Sequence, residues 1–282
     1  MSEMNKAVQS QANQTVEVLI TTMNCQDPIK LLKQMNIQGA AMIGNQVNDA
    51  YALRDCVSET TYQDYCIPMY SFREKGVGLN RNNLLMRTTS TYCLFGDDDL
   101  TYTDGYEQAV IQYFEQYPDA DVLIFNLLEQ TPTRYLIKEA FKVNSLNYMR
   151  FGAARIAVRS ACIQTHGILF NTCFGGGAHY SNGEDTLFLS SCLKAGLKIY
   201  AIPYTIAQLR EDRKSTWFEG YKETYFLDKG LLYYLISRRW YRLLILQDAY
   251  RHRKTYGQPF SYLWNTMNRG VKNAKNRRFT FR

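Results

Sequence analysis

The strongest constraint on the fold is a repeated alternation of short apolar runs, rich in branched residues, with segments of helical period. Residues 16–22 (VEVLITT) read as a buried strand, Asp27 can cap a helix running to about Gln34, and residues 39–44 (GAAMIG) read as a second strand. Strand, helix, strand at this spacing opens a parallel α/β sheet. The alternation continues through a strand at 66–72 (CIPMYSF), a helix from about Asn80 to Thr89 and a short strand at 91–95 (TYCLF). It goes on to a helix that places Tyr106, Ala109, Val110, Tyr113, Phe114 and Tyr117 on one face. Strands at 121–127 (DVLIFNL) and 198–202 follow, with shorter strand candidates at 135–138 and 155–159 and a helix from Glu184 to about Ala195. At 282 residues this is one large domain or one domain with an appendage.

Charge divides the chain. The net charge is +7, but residues 220–282 hold 14 Lys and Arg against three acids, a balance of +11, which leaves −4 for the rest. A mildly acidic body with a basic, aromatic tail suggests chemistry in the first part and attachment to something anionic in the second. The expected division is a leader over 1–14, a catalytic domain over 15–217, and a basic helical extension over 218–282 packed on the body, with helices near 219–236, 239–254 and 259–273. The seven Cys form no C-x-x-C pair, and Cys66, Cys93 and Cys192 lie in apolar stretches, so they read as buried free thiols. The start, MSEMNKAVQSQANQ, has no apolar core of a secretory signal, and the apolar stretch 231–246 is interrupted by Arg238, Arg239 and Arg242. A cytoplasmic protein, working at the inner face of a membrane if the tail binds lipid, is the resulting expectation.

Asp97-Asp98-Asp99, directly after an apolar strand, is the most informative motif. Three successive carboxylates repel one another unless a cation or solvent separates them, and in open α/β sheets ligands bind at the carboxyl ends of strands. The plainer reading is an acidic turn capping the next helix. Glu184-Asp185 follows a glycine loop at a helix start and is either a helix cap or, facing a pocket, a general base for an incoming hydroxyl. Gly76-Val77-Gly78-Leu79-Asn80-Arg81-Asn82-Asn83 sets a guanidinium at a helix start, suited to an anionic group or simply to the surface. There is no G-x-x-x-x-G-K-[ST] loop, and the glycines at 175–177 make no G-x-G-x-x-G after a strand, which disfavours P-loop ATPases and Rossmann dehydrogenases. The histidines at 166, 179 and 252 lack zinc-ligand spacing, although His179 sits in the glycine loop near Glu184.

In this order the features resemble the family 2 glycosyltransferases, inverting enzymes of the GT-A fold. The likeness runs from the first strand through Gly78-Leu79-Asn80-Arg81-Asn82 and the triple aspartate to Phe174-Gly175-Gly176-Gly177-Ala178 and Gly183-Glu184-Asp185-Thr186-Leu187-Phe188, covering roughly residues 15–205. It implies a Rossmann-like, mostly parallel central sheet flanked by helices. Thr21, Thr22 and Asn24 would line a nucleotide pocket, Arg81 would approach the base or diphosphate, and Asp97 would hold the ribose side. Asp98 and Asp99 would hold Mn²⁺ or Mg²⁺ on the donor diphosphate, and Asp185, with Glu184 beside it, would deprotonate the acceptor. From their place in the chain, Gly176, Gly177 and His179 of the glycine loop are candidates for a donor or acceptor loop, and Trp217 stacks on a sugar, closes over the donor or lies in the core. Two departures stand out: Gly44-Asn45-Gln46 replaces the acids often found after the second strand, leaving Asn45 or Asn48-Asp49 for the nucleobase, and the metal motif reads G-D-D-D.

The implied activity is metal-dependent transfer of a sugar from a nucleotide diphosphate-sugar, a UDP-sugar, to a hydroxyl of a bacterial surface glycan, either lipid-linked or on protein. Two alternatives are a nucleotidyltransferase, which also uses carboxylates and metal ions, and a non-catalytic basic scaffold or membrane-binding protein. For the tail, the sequence leaves an anionic membrane surface, a second copy of the chain and a solvated core helix in contention. Nucleic acid is disfavoured because no recognisable binding module accompanies the charge.

Overall fold

The computed structural model describes residues 14–48, 56–210 and 220–276. Strand β1 (Val16–Met23) leads to α1 (Pro28–Gln34) and β2 (Ala40–Gln46), and an edge hairpin of β3 (Cys56–Tyr62) and β4 (Tyr65–Phe72) follows. Next come α2 (Val77–Leu85), β5 (Tyr92–Asp97), β6 (Leu100–Tyr102), α3 (Tyr106–Gln116), β7 (Val122–Leu128), β8 (Phe141–Val143), β9 (Ile156–Arg159) and α4 (Ser160–Thr165). The body closes with α5 (Glu184–Lys194) and β10 (Ile199–Leu209), before helices α6 (Glu223–Ile236), α7 (Tyr241–Arg251), α8 (Arg253–Tyr256) and α9 (Phe260–Asn276).

The strands form one sheet in the order β3-β4-β2-β1-β5-β9-β7-β10-β6, with β8 beside β10. From the pairings, β1, β2, β4, β5, β7 and β10 point the same way, and the opposed strands are the edge strand β3 and the short β6, β8 and β9. Side chains alternate between two cores. Val18 and Ile20, Tyr92 and Leu94, and Leu123 and Phe125 enter one; Leu19, Cys93 and Phe95, and Val122 and Ile124 enter the other. Burial on both faces explains why these strands read as unbroken apolar runs.

Three expectations need correction. Residues 135–138 form no strand, because their polar backbone is bonded by side chains. The Asn126 amide takes both the N–H and the C=O of Ile137, each at 2.9 Å, and the buried Arg155 donates to the Tyr135 carbonyl at 3.2 Å. β10 continues beyond 202 to Leu209: Pro203 has no N–H to give, and the pairing with β7 shifts register around it before resuming. Cys56 and Cys66 are exposed on the edge hairpin, Cys66 opposite Thr61, and Cys25, Cys162 and Cys173 are half-buried, so only Cys93 and Cys192 are buried; all seven thiols are free.

The C-terminal helices have their own core around Phe226, Ile245, Leu263 and Met267. At the crossing of α6 and α9 the backbones touch, since a Cβ on Gly230 would lie 2.0 Å from the Met267 oxygen and one on Gly270 2.1 Å from that of Leu227. Leu232 of α6 fills the space beside Gly183, where a Cβ would come within 2.6 Å of it. This contact joins the helices to the start of α5.

Asn126→Leu removes both partners of the Ile137 backbone and is expected to cost about 2–4 kcal/mol, since each orphaned buried group costs about 1–3 kcal/mol. A denaturant titration of the variant against the parent checks this.

Candidate active site

β1 lies between β2 and β5, so the chain leaves it in opposite directions across the sheet, and a crevice opens at the carboxyl ends of these strands. Thr21 pairs in register with Asp97, and Thr22 with Asn45. The crevice is a cleft of about 780 Å³. Across it, α2 is anchored at its start: Gly76 N–H donates to Gln46 Oε1 and Val77 N–H to the Gly176 carbonyl, both at 2.9 Å, and the Asn80 amide reaches the Gly44 carbonyl at 2.8 Å. These bonds aim Arg81 into the floor of the cleft.

Arg81 is 4% exposed, and its guanidinium joins the two acidic motifs. Nη2 lies 2.8 Å from Asp97 Oδ1 and Nη1 lies 3.2 Å from Glu184 Oε1, while the planar group sits over the Phe170 ring. Burial works against its charge, but Asp97 and Glu184 outweigh it, and the group holds its proton more tightly than a free arginine. Thr21 Oγ1 donates to Asp97 at 3.0 Å and Thr22 Oγ1 to Asp98 at 2.7 Å. From the far side Arg210, directly after β10, donates its N–H to the Asp99 carbonyl at 2.7 Å and its guanidinium to the Asp98 carbonyl.

Asp185 is in the first turn of α5 and accepts the Thr186 N–H at 2.7 Å. Its carboxyl is enclosed by protein on most sides but open to the cleft, and burial together with the neighbouring Glu184 pushes its pKa up to about 7, against the pull of the Thr186 N–H and Arg81. It also borders a second cavity, of about 520 Å³, whose other walls include Tyr135, Tyr225, Lys229 and Tyr233. Asn182, Gly183 and Asp185 line both spaces. A carboxyl that titrates near neutrality where two cavities meet is suited to general-base chemistry.

Of the residues singled out in the sequence, Thr21, Thr22, Asn24, Arg81, Asp97, Asp98, Asp99, Gly176, Glu184 and Asp185 line the cleft together. Asn45 does not reach it. It is buried below, where its amide bonds the backbone N–H and C=O of Cys25 at 2.8 and 3.1 Å and so shapes the loop after β1. Gly177 is not a lining residue, and His179 stands at a separate small groove with Tyr180 and Asp228. Asp49 and Trp217 lie outside the described residues. Gln46, Arg134, Ser181, Asn182 and Arg210 line the cleft without having been anticipated. Gln46 stood in view at the end of the second strand, but Arg210 was hidden by a strand reading that stopped before Pro203. Among the described residues, no three His, Cys, Asp or Glu side chains form a ready-made cation cage.

No protein-family model matches the chain, and no curated protein sequence does. Solved structures do. S. aureus TarS 1–349 in complex with UDP-GlcNAc aligns at a TM-score of 0.61 and 14% identity, over 86% of this chain and 73% of that one. TarS 1–349 in complex with UDP aligns at 0.57 and 15% identity, over 86% and 72%. Against the longer S. aureus TarS chain the TM-score is 0.57 at 14% identity, and this chain spans 44% of its length. The shared architecture is the GT-A fold.

Arg81→Met leaves Asp97 and Glu184 without their common cation and is expected to destabilise the protein by about 3–5 kcal/mol, the usual cost of breaking a buried ion pair from one side. Arg81→Lys, a point charge unable to fork between two carboxylates, should recover only part of that loss in the same denaturant titration.

Proposed function

We propose that this chain is an inverting glycosyltransferase in which the cleft takes a nucleotide diphosphate-sugar and the adjoining cavity takes an acceptor hydroxyl. The observation that carries the reading is the place of Asp185, whose half-buried carboxyl stands at the junction of the two spaces. A UDP-sugar donor is supported by the same fold in TarS structures holding UDP and UDP-GlcNAc.

Thr21, Thr22, Asn24 and Gln46 stand at the nucleoside end, Asp97 at the ribose, and Arg81 keeps Asp97 and Glu184 in place. Because Glu184 is held by Arg81, Asp185 is the carboxylate left to act on the acceptor. The acceptor oxygen attacks the anomeric carbon from the side opposite the diphosphate, the bond from that carbon to the diphosphate oxygen breaks with inversion, and the hydroxyl proton passes to Asp185. Unlike a glycosidase, this chemistry needs no pair of carboxyl groups flanking a glycosidic bond. Tyr135, Tyr225 and Tyr233 give the second cavity rings against which a sugar can lie, consistent with a glycan acceptor of the bacterial surface type.

The chemistry of the lining suits a divalent cation. Among the described residues it has five carboxylates (Asp97, Asp98, Asp99, Glu184, Asp185) and three guanidiniums (Arg81, Arg134, Arg210) around the space an anionic diphosphate would enter. Asp98 and Asp99 are the residues that would hold Mn²⁺ or Mg²⁺. Hard carboxylate oxygens suit these ions, and Mg²⁺ is commonly held by one or two carboxylates with substrate phosphates and water completing the shell. When bound, the ion would offset charge developing on the leaving diphosphate.

Asp185→Asn should lower kcat by about 10²–10⁴-fold, the usual worth of a general base, while leaving UDP affinity measured by calorimetry unchanged. The parent's rate should rise with pH and level off above about 7, as the Asp185 carboxyl ionises. Undiminished transfer by the variant, or pyrophosphate in place of a nucleoside diphosphate as product, overturns the reading. Asp98→Ala should abolish the gain in UDP affinity that Mn²⁺ confers.

The raised pKa also has a cost in stability. The folded chain binds the Asp185 proton more tightly than the unfolded chain, so stability falls as pH rises from the ordinary aspartate range through about 7. Asp185→Asn should therefore be the more stable protein at pH 8, by about 1–3 kcal/mol, with the difference shrinking at pH 5. Thermal melts at the two pH values measure it.

A further inference from the structure

Helix α7 turns one side to α6 and α9 and leaves the other bare. Tyr241, Ile245, Asp248 and Ala249 are buried, whereas Leu243, Leu246 and Tyr250, with Trp240 just before the helix, are 55%, 42%, 63% and 53% exposed. Their spacing puts these large apolar groups on one face. The face continues into a groove of about 620 Å³, bounded across from the helix by Arg253 and by Phe260 at the start of α9. The sequence drew attention to 231–246 as a whole, but Leu231, Leu232 and Tyr233 are turned inward, and the exposed apolar surface belongs to α7.

The charge around this face is of one sign. Between residues 237 and 260 the basic residues are Arg238, Arg239, Arg242, Arg251, Arg253 and Lys254, and the lone acid, Asp248, is buried and paired with Lys229 at 3.0 Å. No carboxylate among the described residues pairs with Arg238, Arg239, Arg242 or Arg253; their guanidiniums lie over the rings of Tyr234, Trp240, Tyr241 and Tyr250. An apolar wedge ringed by uncompensated cations matches a bilayer interface. Phosphate headgroups meet the arginines, the leucines enter the acyl boundary, and the Trp and Tyr rings sit between. A second copy meeting this face by two-fold symmetry would bring the arginines against themselves, and a nucleic acid strand makes no use of aliphatic leucines.

We infer that the α7 face is a peripheral docking surface for membranes rich in anionic phospholipid. Among the described residues no helix is long and apolar enough to cross a membrane, and the contact proposed is interfacial. Gln247 borders both this groove and the cavity ending at Asp185, so docking sets that cavity one helix above the lipid. If the glycosyltransferase reading holds, the acceptor is then one presented at the bilayer; the docking itself does not depend on that reading.

The test is flotation of the full chain with vesicles of mixed phosphatidylcholine and phosphatidylglycerol, and with vesicles of phosphatidylcholine alone. Binding is expected to the mixed vesicles, to weaken at least about tenfold on the neutral ones, and to be reversed by salt. Leu243→Glu with Leu246→Glu, and separately Arg238→Gln with Arg239→Gln and Arg242→Gln, should each reduce binding about tenfold. All five positions are solvent-facing or partly so, and an unchanged melting temperature confirms that each variant is folded. The fluorescence of Trp240 should shift to the blue on the mixed vesicles, and Trp240→Phe should remove that component. Equal binding to both vesicle types, or undiminished binding by both sets of variants, overturns the proposal. So does a dimer that the Leu243→Glu, Leu246→Glu variant disperses, or a single-stranded oligonucleotide that displaces the vesicles.

Discussion

Arg81 carries a full positive charge into a region almost closed to water, and one carboxylate from each side of the cleft offsets it. Asp97 comes from the end of a central strand and Glu184 from the start of a helix 87 positions later in the chain. Neither acid is placed for its neighbour in sequence. They meet because the guanidinium forks between them, and its planar geometry fixes the distance from the triple aspartate to α5. This pairing also divides labour between adjacent residues. Glu184 is committed to the cation, and Asp185, bonded to a backbone N–H, has no guanidinium bonded to it among the described residues. Its raised pKa comes from burial and from the charge of Glu184 beside it, and Arg81, bonded to Glu184 and not to Asp185, only partly offsets the two.

The parts of the fold that could be read from the chain were those governed by burial on both sheet faces. Such strands announce themselves as unbroken apolar runs, and β1, β5 and β7 were placed to within a residue or two. The strands that escaped notice obey a different rule. β3 is polar and edge-lying, β6 and β8 are three residues each, and their existence depends on partners distant in sequence. Residues 135–138 had the composition of a strand, yet the ladder they join consists of the Asn126 and Arg155 side chains. No local pattern records a backbone satisfied in that way. The site divides similarly: the motifs at strand ends and helix starts meet in one cleft, as the resemblance implied, whereas Asn45 stands at the expected point in the chain but below the cleft floor.

The unequal charge of the two parts of the sequence has a spatial counterpart. Acidic side chains line the cleft among three arginines, and near α7 the guanidiniums of Arg238, Arg239, Arg242 and Arg253 lie over aromatic rings. The overall +7 is the sum of a mildly acidic body and a strongly basic C-terminal part.

The glycine contact between α6 and α9 bears on how such a protein can vary. Backbones that touch at Gly230 and Gly270 cannot slide past one another, and Leu232 wedges the same pair of helices against the first turn of α5. The C-terminal helices are therefore not an exchangeable cassette. Lineages that diversify the second cavity would have to do so by changing side chains within a fixed helical frame, such as Tyr225, Lys229 and Gln247, because a swapped or shifted extension would withdraw support from the carboxylate-bearing turn itself.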